Sequence, residues 1–396
     1  MIWIIVGMGL FRHVSITPLA AHLCVKSDKE KALAPSSLTE ARQRLGERPL
    51  QVLFEELAMH WSHAAAASDP WKGLSVYGID GTALSIEDTP ENLEAYPRPE
   101  QISTPASDLK VRLVCLVALR SRLMVDAAFS PYYGVGTGEN SLAAPMWEGL
   151  PDRSVVLFDR GFIDTLHLYR LVSDQNERYF VTRDWSSLKT QTVEVLGDGD
   201  TLVDLSISDG ARREDRSLPK TMWLRRVEYQ RPGHAPSALL TSLLCPEKYP
   251  AHELVEFYHE RWDLELAYRN IKQTQLQRLE SLRSRTPDGV AQEIWGILAA
   301  YQRVRQRMLV VARQLKKPPA RLSFKTALIA IHSFFLQMTT PLRAPNMIFL
   351  PLGTMDGLIA TGLMPPRRTS RSYPRHVKGI PRQHKMNKGP KKAVDD

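Results

Sequence analysis

The period of the apolar positions changes along the chain, and each change predicts a different kind of element. Residues 1 to about 70 read as helices. Ser36, Ser37, Thr39 and Glu40 offer capping chemistry after Pro35, and Leu45, Leu50, Leu53, Phe54 and Leu57 follow at helical spacing, interrupted near Gly46 and Pro49. From Gly73 the pattern becomes strand-like. Residues 74–79 predict a short strand ending at Asp80-Gly81-Thr82, and 110–119 with 122–129 predict a hairpin turning at Arg120-Ser121. Between them, 85–107 is rich in Pro, Asp, Glu and Asn and reads as a long surface loop. Residues 154–158 form a near-continuous apolar run, as in a strand buried on both faces, and it ends at Asp159. A helix over 164–173 and a strand over 179–183 follow. Residues 186–250 alternate polar and β-branched positions over 192–196, 201–207, 221–229 and 237–244, which predicts a β-rich insertion without helices. Helical spacing returns with Leu254, Phe257, Tyr258, Trp262, Leu266 and Ile271, predicting one amphipathic helix through Lys272, and further helices over 290–316 and 323–338.

These changes divide the chain into a helical N-terminal domain (1–70), a core made of 71–185 and 251–345, an inserted subdomain (186–250) and a C-terminal segment (346–396). The length of 396 residues is enough for that organisation, and 43% hydrophobic with 24% charged residues is ordinary for a globular protein. The net charge of +9 suits a polyanionic partner. Within the tail, residues 367–392 hold ten Lys or Arg and no acid, the composition of a disordered or extended arm that binds phosphate. Three cysteines, Cys24, Cys115 and Cys245, lack metal-ligand spacing and read as reduced, buried thiols, which points to a cytosolic setting. The apolar start at Met1–Phe11 is too short to span a bilayer. It begins in mid-pattern without a polar lead-in, as a shortened reading frame would. The glycines at 134, 136 and 138 lack the Gly-Lys-Ser/Thr ending of a phosphate-binding loop and read as a connector.

The candidate chemistry is acidic and basic together. Asp80 and Asp159 each end an apolar strand and are each followed by glycine within two residues. Glu265 sits on the late helix, where Tyr258, Arg261, Glu265 and Lys272 fall near one face. Three carboxylates on a sheet edge and a helix can hold two divalent ions about 4 Å apart, and oxygen donors suit Mg²⁺. Each feature also has a plainer reading: an aspartate at a strand end is a common turn former, and the helix face could be a solvated one laced with i,i+4 ion pairs. In the N-terminal domain a short helix, a turn and a second helix could enter a DNA groove, with Arg42, Arg44 and Arg48 on phosphates. The alternative there is a helical cap packed on the next domain.

The stretches Gly78-Ile-Asp-Gly-Thr82, Phe158-Asp-Arg-Gly-Phe162 and Tyr258-x-x-Arg261-x-x-x-Glu265-x-x-x-x-x-x-Lys272 resemble the three catalytic regions of bacterial DDE transposases. The group is insertion-sequence family four, marked by this Y-R-E-K signature; residues 34–49, 88–92 and 282–290 share the similarity. The resemblance implies an α/β fold: an RNase H-like catalytic domain with a mixed sheet and a β-rich insertion, plus an α-helical N-terminal DNA-binding domain. It implies that Asp80, Asp159 and Glu265 bind two Mg²⁺ ions, for which Mn²⁺ can substitute. Tyr258, Arg261 and Lys272 would contact phosphates at the transposon end. It further implies cut-and-paste transposition through a hairpin intermediate, with Trp262 a candidate platform for a flipped base, and 3′-OH transfer into target DNA. The partners would be double-stranded DNA and a second protomer in the synapse, in a bacterial cytoplasm at the nucleoid. Two rivals remain at this point: a nuclease of the same fold that never rejoins, and a non-catalytic DNA-binding or degenerate inhibitory copy.

Overall fold

The structure is a computed structural model, and it describes residues 1–23, 33–98, 109–173, 176–185, 187–231, 235–277, 281–339 and 352–366. The basic stretch 367–392 and Cys24 lie outside the described residues. Four helices open the chain: α1 (Ile2–Leu10), α2 (Ile16–His22), α3 (Pro35–Leu45) and α4 (Arg48–Ala67). Then come β1 (Ser75–Ile86), α5 (Pro90–Ala95), β2 (Leu109–Ala118), β3 (Leu123–Pro131), α6 (Glu139–Glu148), β4 (Ser154–Phe158), α7 (Thr165–Ser173) and β5 (Arg178–Arg183). The insertion supplies β6 (Thr190–Gly197), β7 (Asp200–Ser206), α8 (Asp209–Glu214), β8 (Thr221–Tyr229) and β9 (Ser237–Thr241). The chain continues through α9 (Ala251–Tyr258), α10 (Trp262–Arg269), β10 (Ser281–Leu282), α11 (Pro287–Gln314), α12 (Phe324–Thr339) and α13 (Leu352–Thr361). Among the described residues no helix is long and apolar enough to cross a membrane.

All the named strands join one ten-stranded sheet in the order β3-β2-β1-β4-β5-β9-β8-β7-β6, with β10 beside β1. The pairs β1–β4 and β4–β5 are parallel and the hairpin pairs are antiparallel, so the sheet is mixed. The fold is α/β, with the strand arrangement of an RNase H-like core. The insertion does not build a sheet of its own: β9 pairs antiparallel with β5, and β8, β7 and β6 extend the core sheet outward.

Alternation along the strands sorts the core into two layers. On β2, Val111, Leu113, Cys115 and Val117 pack with α1, α4, α10 and α11, whereas Val114, Leu116 and Ala118 pack with α6 and α7. The N-terminal helices therefore cap the core instead of standing apart. A Cβ on Gly9 would lie 2.8 Å from the carbonyl oxygen of Gly296, and one on Gly296 would lie 2.9 Å from Ile5, so α1 and α11 cross at a distance only glycine permits.

Several expectations are corrected. The strand at Asp80 does not stop there; β1 runs on to Ile86, because β2 pairs along it to Ile86↔Leu109 and β10 covers its end. The long loop after it contains α5, started by Pro90 and by the Thr89 hydroxyl, which accepts the Asn92 N–H at 3.2 Å. The insertion contains a helix, α8, capped by Ser208. The single helix through Lys272 is broken on both sides of α10, by a 3₁₀ turn at His259–Arg261 and a π turn at Asn270–Gln275. Cys115 is buried as expected, but Cys245 is exposed beside Glu247.

Candidate active site

The two aspartates are neighbours because their strands are. In the parallel pair β1–β4, Gly78 sits opposite Leu157, so Asp80 and Asp159 each lie two residues further along adjacent strands about 4.8 Å apart. The glycine before Asp80 has a packing reason. A Cβ on Gly78 would lie 2.8 Å from Leu119 and 3.0 Å from Leu264, so its absence lets α10 settle on β1 next to Asp80. A Cβ on Gly81 would come within 2.3 Å of the Glu139 carboxylate, which lies over that residue from the start of α6. Gly81 also donates its N–H to the Asp80 carboxylate at 2.9 Å.

α10 brings Glu265 and its neighbours to the same place. Glu265 shares an 850 Å³ cleft with Asp80, Lys110, Arg269 and Lys272, while Asp80 and Asp159 share a second cavity of 520 Å³ with Glu139 and Asn140. Asp80 alone of the three carboxylates lines both. Among the described residues no three His, Cys, Asp or Glu side chains gather closely enough to enclose one ion. The donors pair instead, and a cation stands among them: Arg261 donates to Glu265 at 3.2 Å. Burial works against the Arg261 charge, but Tyr258, Asp80, Asp159 and Glu265 outweigh it and hold the guanidinium protonated. Burial pushes the Asp80 carboxyl up to about 6; Glu139 and Asp159 add to the rise, and the Gly81 N–H and Arg261 oppose it. A half-buried all-oxygen donor set, with its shared member short of counter-charge, fits hard divalent cations.

The remaining signature residues separate. Lys272, on the π turn, reaches back to β1 and donates to the Ala83 carbonyl at 2.8 Å and the Thr82 hydroxyl at 3.3 Å. Trp262 is 41% exposed and borders a pocket lined by Arg183, Tyr229, Arg231, His259 and Arg261. Burial and the arginines 231, 261 and 183 push His259 down to about 4, so it is neutral at pH 7. Tyr258 departs from its expected phosphate contact. It is buried, and its hydroxyl donates to the Phe158 carbonyl at 3.1 Å, tying α9 to the residue before Asp159.

Arg42 is a further correction. Its guanidinium donates to Gln292 at 2.8 Å, Ser284 at 2.8 Å and the Gly289 carbonyl at 2.6 Å, so it clamps α3 onto α11 and has no free fork for a phosphate. Burial lowers its pKa. Arg44 stays outside, its side chain 72% exposed and 3.6 Å from Glu40, and Arg48 pairs with Glu55. Sequence reasoning missed Glu139 and Tyr268, and it placed Gly78 within a catalytic stretch without its packing role. The first sits just past the glycine-rich connector, where only the bare Cα of Gly81 beside Asp80 hinted at a close approach.

Comparison with known proteins shows the family to which the chain belongs. The family model described as "Transposase DDE domain" matches residues 71–303, and the one described as "Insertion element 4 transposase N-terminal" matches residues 1–55. The transposase InsG for insertion sequence element IS4 of Escherichia coli K12 is 33% identical over 99% of this chain and 87% of its own length. The putative transposase InsZ of the same strain is 30% identical over 49% of this chain and 64% of its own. Among solved structures, a piggyBac transposase synaptic complex with hairpin DNA aligns at a TM-score of 0.39 and 11% identity, covering 75% of this chain and 59% of the other.

Proposed function

The chain belongs to the insertion-element-4 family of DDE transposases, and from that premise we propose that Asp80, Asp159 and Glu265 are the residues that cut DNA at transposon ends. The protein is an enzyme of DNA transposition that binds DNA, and DDE domains work with divalent metal ions. In this reading Asp80 with Asp159, and Asp80 with Glu265, would hold Mg²⁺, or Mn²⁺ in its place, at two positions. The observation that carries it is the placement of Asp80 in both cavities, with Glu265 in one and Asp159, beside Glu139, in the other. Two protein carboxylates per ion leave coordination sites for phosphate and water, as Mg²⁺ requires. When bound, the ions polarise the phosphodiester and lower the pKa of the attacking water or hydroxyl.

The chain's own groups do the rest. Arg261, paired with Glu265 at 3.2 Å, would offer its guanidinium fork to the end phosphate. Lys272 supplies a second cation to that phosphate, and Trp262 offers a stacking face to a base drawn out of the duplex, in a cut that passes through a hairpin. Water reopens the hairpin to free the 3′-OH, which then attacks a target phosphodiester and displaces the target strand's own 3′-oxygen, with two protomers holding the two ends. Exposed Arg44 and Arg48 on the N-terminal domain (1–70), together with the basic tail, add backbone contacts.

The test is Mg²⁺-dependent cleavage of a duplex carrying a transposon end. Asp80→Ala, Asp159→Ala and Glu265→Ala should each abolish it while end binding persists; cleavage by any one of them removes that residue from the assignment. Denaturing gels report the hairpin. Joining of pre-cut ends separates a transposase from a nuclease that cannot rejoin.

A further inference from the structure

Tyr268 lies three residues beyond Glu265 on α10 and is 6% exposed. Its hydroxyl donates to the main-chain carbonyl of Asp80 at 2.5 Å and accepts the main-chain N–H of Cys115 at 3.1 Å. Asp80 and Cys115 are partners in the β1–β2 register. One phenol thus bridges two strands at the rung that carries Asp80, from the helix that carries Glu265. Packing alone does not need this group: phenylalanine would fill the same space, and two facing backbone groups on an antiparallel rung can satisfy each other. A buried hydroxyl that takes up both must keep the strands and the helix at one separation.

We infer that Tyr268 is a positioning residue: its hydroxyl sets the distance between Asp80 and Glu265, and through it the affinity of the site for divalent ions. The inference rests on the carboxylate assignment proposed above. Glu265 and Tyr268 line the same cleft with Asp80, so a shift of α10 by a few tenths of an ångström acts directly on that pair. Loss of a direct partner of a metal-binding group typically costs about 10- to 100-fold in metal affinity; Tyr268 acts one step removed, through the Asp80 main chain, so the lower end applies.

The 396-residue chain, its Tyr268→Phe variant and its Asp80→Ala variant are compared in single-turnover cleavage of an end duplex across a range of Mg²⁺ and of Mn²⁺. Melting temperature and end binding are measured in parallel. Tyr268→Phe should need about tenfold more of either ion for half-maximal cleavage. It should regain the unmodified rate at saturating ion, and its end binding should stay unchanged. An unchanged ion dependence overturns the inference. So does a cleavage defect that no ion concentration repairs, because that is the behaviour of a residue needed only for folding. Asp80→Ala keeps the two levels apart. If that variant still cleaves, the carboxylate assignment itself fails; if it is inactive while Tyr268→Phe behaves as unmodified, only the role of Tyr268 is lost.

Discussion

The carboxylates of the site are held in two different ways. Asp80 and Asp159 belong to adjacent parallel strands in the interior of a ten-stranded sheet, where flanking residues such as Ile79, Leu157 and Phe158 are fully buried. Glu265 belongs to an eight-residue helix bounded by a 3₁₀ turn and a π turn, and its carboxylate is paired with Arg261. The sheet half is over-determined by ladder bonds and packing. The helical half is short and interrupted, and it rests on the sheet through buried Leu264 and Ala267, the Arg122–Asp263 ion pair at 2.7 Å, Tyr268 on Asp80 and Lys272 on Ala83. Interrupted helices of this kind recur at functional sites. Two of the proposed ligands are thus fixed in advance by the sheet, and in that proposal the third can adjust to ions and to the DNA strand.

The largest effect should come from breaking the seam between the halves. Gly78→Val places side-chain atoms where Leu119 and Leu264 already lie, 2.8 and 3.0 Å from the new Cβ. Overpacking of this sort costs about 1–3 kcal/mol, and here it displaces the buried Leu119 and Leu264 side chains that seat α10 on β1. Cleavage should be lost altogether, while the melting temperature falls by only several degrees. Cleavage at the unmodified rate would show that the seam does not set the site.

The sheet half makes an opposite prediction. The Asp80 carboxyl has its pKa raised from 3.8 to about 6, so between those values the folded protein holds its proton more tightly than the unfolded chain does. Stability therefore falls as pH rises through that window and stays low above it. Asp80→Asn removes the ionisation and should be inactive, yet more stable than the unmodified protein by about 2 kcal/mol at pH 7 without divalent ions. The gain should vanish below about pH 4. Denaturant melts at pH 4 and pH 7 measure it, and equal stabilities at pH 7 would mean that Arg261 already neutralises the buried charge.

Much of the sheet half was legible in the sequence. The run at 154–158 coincides with β4, and the alternation at 110–119 and 122–129 gives β2 and β3, because side-chain period is a local property. What hid was whatever depends on distant partners. Gly81-Thr82 looks like a turn in isolation, yet β2 and β10 keep that stretch extended. Arg42 looks like a phosphate ligand until Gln292 and Ser284 arrive from α11 to engage it. The breaks around α10 left no sign in the apolar spacing, since 3₁₀ and π turns shift the phase by less than one residue position per turn. The acidic residues were visible as types, but the closeness of Glu139 to Asp80 was set by α6 packing on the sheet.

The smallest effect should arise where the helical half touches DNA, at Lys272. Its ammonium group now holds the Ala83 carbonyl and the Thr82 hydroxyl, contacts at the edge of the cleft that are individually weak in water. Lys272→Ala should therefore leave the melting temperature nearly unchanged. The same ammonium is proposed to meet one end phosphate, and removing a single phosphate contact weakens binding by about 1 kcal/mol, or roughly fivefold. It should also flatten the dependence of log affinity on log salt concentration by about one unit, because one fewer counterion is released. Arg313→Ala, at an exposed position near the end of α11 that lines neither cavity, provides the control for a general loss of positive charge. If Lys272→Ala lowers affinity with no change in salt slope, the lysine acts by bracing the π turn against β1, and the adjustable half of the site would owe its placement to that brace.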